Sequence, residues 1–134
     1  MKYLIINILS ALFPIMAMAG SVGEWKIYSA YGEIEQIDSV AKGDYFALSL
    51  GNVYRVNEKD WSVTSYNRLT GMSGADVSCM AWNAVSRSLV MVYTDSNIDI
   101  MDLDGNVTNV PDLYHKTTTL DKTINGIDVA GRDA

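Results

Sequence analysis

Apolar residues in this chain recur in short runs with period-two alternation, not at the spacing of an amphipathic helix. From Gly43 to Asn57, "GDYFALSLGNVYRVN" holds two β-rich runs around Gly51-Asn52. From Ser86 to Asp102, "SRSLVMVYTDSNIDIMD" does the same around Ser96-Asn97. When one is laid on the other, Tyr45, Ala47 and Leu48 fall on Leu89, Met91 and Val92. Val53 and Val56 fall on Ile98 and Met101, and Val63-Thr64 on Val107-Thr108. The offset is about 44 residues, in the range of propeller blades.

A third segment repeats with them. "IEQIDSV" from Ile34, "VSCMAWN" from Val77 and "INGIDVA" from Ile124 share an apolar start and a similar length. Each unit therefore reads as four short strands. They fall near residues 34–40, 44–50, 53–57 and 62–66 in the first unit, and near 77–83, 88–93, 97–102 and 106–110 in the second. "YFALSL" and "LVMVY" are almost continuously apolar, which suits strands covered on both faces. A lone four-stranded blade cannot cover both of its own faces. The expected fold is all-β: an incomplete β-propeller, with two four-stranded antiparallel blades plus the start of a third. A small β-sandwich is the alternative with similar strand spacing.

The first residues belong to a different pattern. Lys2 precedes the apolar stretch from Tyr3 to Ala17, and "AMA" at Ala17–Ala19 is a small-x-small cleavage site. Pro14 and the length of the apolar run argue against a full membrane span, which needs roughly 20 apolar residues. Residues 1–19 thus read as a signal peptide and residues 20–134 as the N-terminal fragment of a propeller domain. No cysteine follows the cleavage site to accept a lipid anchor, and the protein is expected outside the cytoplasm.

Charge and chemistry narrow the function classes. The chain has 134 residues and a formal net charge of −6, with no basic stripe to track a phosphate backbone, which disfavours nucleic acid as a partner. Cys79 is the single cysteine, in the apolar "VSCMAW", and reads as a buried small residue. The acidic stretch with Asp95, Asn97, Asp99, Asp102, Asp104 and Asn106 raises the question of a calcium loop. Such a loop needs a Gly at its sixth position and a Glu at its twelfth, and here Ile100 and Asn106 stand there. Asp104-Gly105 reads instead as a tight hairpin turn. His115 sits in a polar loop with no evident partner. Trp25, Trp61 and Trp82 could stack on carbohydrate, but such residues more often pack between blades. Asp38-Ser39-Val40 has the shape of an O-glycosylation acceptor placed within a strand. No catalytic residue, metal site or cofactor is assigned.

The repeating residues carry a family likeness. "VTSYNRLTGMSGADVSCMAWNAVSRSLVMVY", Val63 to Tyr93, resembles the blade-linking unit of two-component-regulator-type propellers, with Gly71-Met72-Ser73 as its "GLS"-type turn. "GEWKIYSAYGEIEQI" and "SNIDIMDLDGNVTNVPDLYHKTTTLDKTINGI" resemble more narrowly the N-terminal propeller of the PorZ family of type IX secretion. The likeness spans Gly23 to Gly131 and departs at "GRDA", inside the third unit. It implies an exported, non-enzymatic surface module. Its partners would be the secretion and sortase machinery or surface lipopolysaccharide, and the remainder of its own propeller. The alternative it implies is the glycan-sensing propeller of a hybrid regulator.

Two outcomes are expected from the sequence. Intact-mass measurement on protein exported by its native host should give a species lacking residues 1–19. Calorimetric titration of calcium into the chain should give no saturable heat, because side chains along a strand do not converge on a point.

Overall fold

The computed structural model describes residues 32–116 and 121–129. The first sheet is built from β1 (Ile34–Ala41), β2 (Asp44–Ser49), β3 (Asn52–Asn57) and β4 (Ser62–Tyr66). The second is built from β5 (Val77–Asn83), β6 (Ser88–Tyr93), β7 (Ile98–Asp102) and β8 (Val107–Val110). Each is a four-stranded antiparallel meander whose strands pair in chain order. A short helix, α1 (Asp112–His115), follows the second sheet. These are two blades of a propeller.

The registers make the blades copies of one another. Leu48 pairs with Val53 and Tyr45 with Val56 in the first blade. Val92 pairs with Ile98 and Leu89 with Met101 in the second. Val56 faces Val63 as Met101 faces Val107. The correspondence read from the sequence is thus reproduced strand by strand. Turn lengths explain the one-residue slips within it. The β2–β3 turn has two residues, Leu50 and Gly51, both left-handed at φ 48 and 71, as a type I′ hairpin requires. The β6–β7 turn has one more, closed by the Ser96 N–H on the Tyr93 carbonyl at 2.9 Å, with Ser96 left-handed at φ 68.

The Asp104-Gly105 turn also has three residues, 103–105, as the strands expected at 97–102 and 106–110 leave between them. The Gly105 N–H donates to the Asp102 carbonyl at 3.2 Å, and Gly105 takes φ 87 beyond the turn's centre. The Asp102 carboxylate accepts the N–H groups of Asp104 and Asn106, each at 2.9 Å, and the Asn106 amide at 2.8 Å. These bonds close the turn over the Asp102 side chain.

Alternation gives each blade two faces. On the first blade, Phe46, Leu48, Val53 and Tyr66 face the second blade. They meet Met80, Leu89, Met91 and Met101 there. Phe46 stacks on Trp82 with centroids 5.7 Å apart, and Tyr66 flanks Phe46 at 6.1 Å. Phe46, Leu89, Met91 and Met101 are fully buried. Each such side chain contributes about 1.5–3 kcal/mol over leaving it exposed.

Polar side chains sew the same junction along β1 and β5. The Gln36 amide accepts the Met80 N–H at 3.1 Å and donates to the Met80 carbonyl. The Asp38 carboxylate accepts the Trp82 N–H at 2.9 Å. At the opposite end the Val77 N–H donates to the Gly51 carbonyl at 3.0 Å. A Cβ on Gly51 would lie 2.9 Å from Asp76 Cα, so the approach needs glycine for space as well as for φ.

The outer face of the first blade repeats the core positions of the second. By register, Ile37, Tyr45, Ala47, Val56 and Val63 stand where Met80, Leu89, Met91, Met101 and Val107 stand. Ile37 is 56 % exposed and Val63 47 % exposed. The segment at residues 124–129, read as the first strand of a third unit, carries no strand pairing. Among the described residues there is no second strand for it to pair with. Just before it, the Lys122 carbonyl accepts the Ser96 hydroxyl of the second blade at 2.6 Å.

An apolar blade face left in water favours association. The chain should therefore self-associate as its concentration rises in analytical ultracentrifugation. A double variant Ile37→Asp, Val63→Asp should weaken that association by about tenfold or more, since it puts charge where apolar contact forms.

Candidate functional site

The segment joining the blades is built to deliver one serine. Asn67 caps a single 3-10 turn at Arg68–Thr70, accepting the Leu69 N–H at 2.8 Å. Thr70 Oγ1 accepts the Asn67 N–H at 2.8 Å, completing a capping box. Gly71 ends the turn in left-handed backbone at φ 104. Met72 then drops into the core at 5 % exposure, and Ser73 reaches β7. The Gly71-Met72-Ser73 turn seen in the sequence is thus a clamp with an apolar pin and a polar hook.

The hook engages Asp99, which is fully buried. One carboxylate oxygen accepts the Ser73 N–H at 2.8 Å and the Tyr93 hydroxyl at 2.6 Å. The other accepts the Ser73 hydroxyl at 2.7 Å and the Asn109 amide at 2.8 Å. Burial pushes the Asp99 carboxyl up, but the hydrogen bonds from Tyr93, Ser73 and Asn109 outweigh it and hold it below the usual carboxylate range. Tyr93 is pushed well above the usual phenol range, by burial first and then by the carboxylate it donates to. With four donors and no exposed surface, Asp99 ties the linker to β6, β7 and β8.

A second charged cluster lies at the other end of the junction. Arg55 on β3 donates from Nε and Nη2 to Asp44 at 3.0 and 2.7 Å. Its Nη1 donates across the junction to the Leu103 carbonyl at 3.0 Å. The guanidinium also sits 5.8 Å from the Phe46 ring centroid. The Arg55 hydrogen bond holds Asp44 below the usual carboxylate range despite partial burial.

The remaining candidates are dispersed. Of the acidic stretch, Asp95 accepts the Asn97 N–H at 3.0 Å, Asn97 accepts the Asn109 amide at 2.9 Å, and Asp102 and Asn106 serve the β7–β8 turn. Asp104 is exposed. Their side chains have separate duties and do not converge. Among the described residues no group of three or more His, Cys, Asp or Glu could hold a metal ion. Cys79 is a free, buried thiol on β5. His115 ends α1, exposed, with its ring 5.1 Å from that of Tyr114.

The tryptophans part company. Trp82 packs between the blades, whereas Trp61 is 78 % exposed on the β3–β4 turn. Trp25 lies outside the described residues. In Asp38-Ser39-Val40 the aspartate is committed to the Trp82 N–H, and Ser39 is exposed. Sequence reasoning weighed Asp99 only within a calcium loop that it rejected, and missed its clamp. The available signal was an acid two residues from Met101, on a face otherwise filled by apolar residues.

Comparison with known proteins accords with this geometry. The family model of the PorZ N-terminal β-propeller domain of type IX secretion matches residues 45–134. One solved structure is similar at a TM-score of 0.70 and 33 % identity. It is PorZ of Porphyromonas gingivalis, described as an essential bacterial surface component of the type IX secretion system. The similarity covers 76 % of this chain but only 14 % of that one. No curated protein matches.

The clamp predicts how acid acts on the fold. Asp99→Asn puts an amide among four donors and should destabilise the chain by about 1–3 kcal/mol in denaturant melts. Because folding lowers the carboxyl's pKa, its contribution is complete above the unfolded value near 3.8 and is lost as pH falls below it. Wild-type stability should fall on acidification through that range, and the Asp99→Asn profile should fall less.

Proposed function

This chain belongs to the family of PorZ N-terminal β-propeller domains, and from that membership we propose that it is a non-enzymatic binding and assembly module of the cell surface, accessory to type IX secretion. The family match over residues 45–134, with 33 % identity to a surface component of that system, carries the reading. The geometry supports it. Among the described residues the acid with the most hydrogen bonds, Asp99, is sealed inside a blade junction, where it stiffens the scaffold.

In this reading residues 1–19 direct export and are removed. The propeller then works at the outer membrane, beside the machinery that attaches cargo to surface lipopolysaccharide. A propeller suits that task because its turns present side chains from a rigid frame. The buried clamp at Ser73 and Asp99 keeps the two blades, and so their turns, in fixed relation.

Deletion of the gene in its native host tests the proposal. Cargo should be lost from the surface and accumulate unattached or inside the cell, and the gene restored in trans should reverse this. Normal secretion and attachment in the deletion strain would overturn it.

A further inference from the structure

Superposing the two units sets an arginine on a glycine. Gly43 and Arg87 are equivalent, since they precede Asp44 and Ser88, the first paired residues of β2 and β6. Both take left-handed backbone, at φ 76 and φ 54. Glycine holds that conformation freely, whereas a long side chain is strained in it. The turn itself does not need the arginine. Asn83 Oδ1 accepts the Val85 and Ser86 N–H groups at 2.9 and 3.1 Å, and the Ser86 and Ser88 hydroxyls share a hydrogen bond at 2.7 Å. Trp61 and Ser96 take the same left-handed backbone before β4 and β7, where the other blade has Gly105 and Gly51, so the backbone does not single Arg87 out; its position at the junction does.

Arg87, an exposed residue, lines a cavity of about 320 Å³ between the blades, beside Arg55, Asp44, Trp82 and Leu103. Arg55 is locked there by Asp44 and by the Leu103 carbonyl. Asp44 offsets the charge of Arg55. Arg87 has no hydrogen-bond or ion-pair partner among the described residues, so its guanidinium is free to engage a ligand. The cavity therefore keeps a net positive charge and a free guanidinium fork, with the Trp82 indole as an apolar wall. A planar fork of this kind matches the paired oxygens of a carboxylate or phosphate.

We propose that this cavity is a binding site for a small oxyanion, a carboxylate or phosphate group, with Arg87 as its bidentate donor and Arg55 as a fixed cationic wall. The volume exceeds that of the bare anion and leaves room for a compact carrier against Trp82. The proposal does not rest on the secretion role and stands or falls separately from it.

The test is an NMR titration of the full chain with sodium phosphate and, separately, sodium acetate at constant ionic strength. The Arg87 Nε–H and the Trp82 indole N–H should shift saturably with at least one anion, and which anion saturates identifies the group. Arg87→Ala should weaken binding by about tenfold or more, the loss of a charge-assisted pair. Arg87→Gly should weaken it equally and raise the melting temperature, because it restores the residue that the first blade uses. If neither anion saturates, or Arg87→Ala binds like the wild type, the proposal is wrong. A melting temperature lowered by Arg87→Gly would also overturn it, by showing that internal contacts hold the arginine in place.

Discussion

A four-stranded sheet with apolar residues on both faces cannot stand alone, and every feature of this chain follows from meeting that constraint. Phe46, Leu48 and Val53 on one blade find Met80, Leu89, Met91 and Met101 on the next. The face of one unit thereby covers the opposite face of its copy. This head-to-tail packing leaves the outer face of the first blade unmatched, and packing of this kind closes by forming a ring. Membership in a propeller family is the same statement made by sequence relatives.

Apolar contact alone would let two such sheets slide, because methionine and leucine tolerate many packings. Polar groups set the register. Gln36 and Asp38 fix β5 by its own backbone at Met80 and Trp82. Asp99 fixes the linker through Ser73, and Arg55 bridges to Leu103. All are side chains whose partners lie far along the chain, and each is satisfied where it is buried, so burial strengthens the contact.

Much of the fold was legible in the sequence because period-two alternation and turn residues act locally. "YFALSL" and "LVMVY" became β2 and β6, and even the one-residue slips in the repeat correspond to real differences in turn length. The clamp was not legible. Asp99 sits 26 residues from Ser73, and an aspartate among asparagines and aspartates looks like any turn or cation ligand until the strands pair. The Asp104-Gly105 turn falls between the strands expected at 97–102 and 106–110, but the part Asp102's side chain plays in closing it was not legible. The exposure of Trp61 likewise depends on turn geometry, which composition does not encode.

The central claim is that the two blades behave as one unit, locked through specific side-chain to backbone bonds. Native-state hydrogen exchange of the Ser73, Met80 and Trp82 amides tests it most directly, since each donates to a side chain of another strand or of the other blade. The account predicts that these three amides exchange as slowly as those paired inside β2 and β6, through a shared opening. Exchange at the rate of exposed turn amides, with β2 and β6 still protected, would show two blades that merely touch and would contradict it.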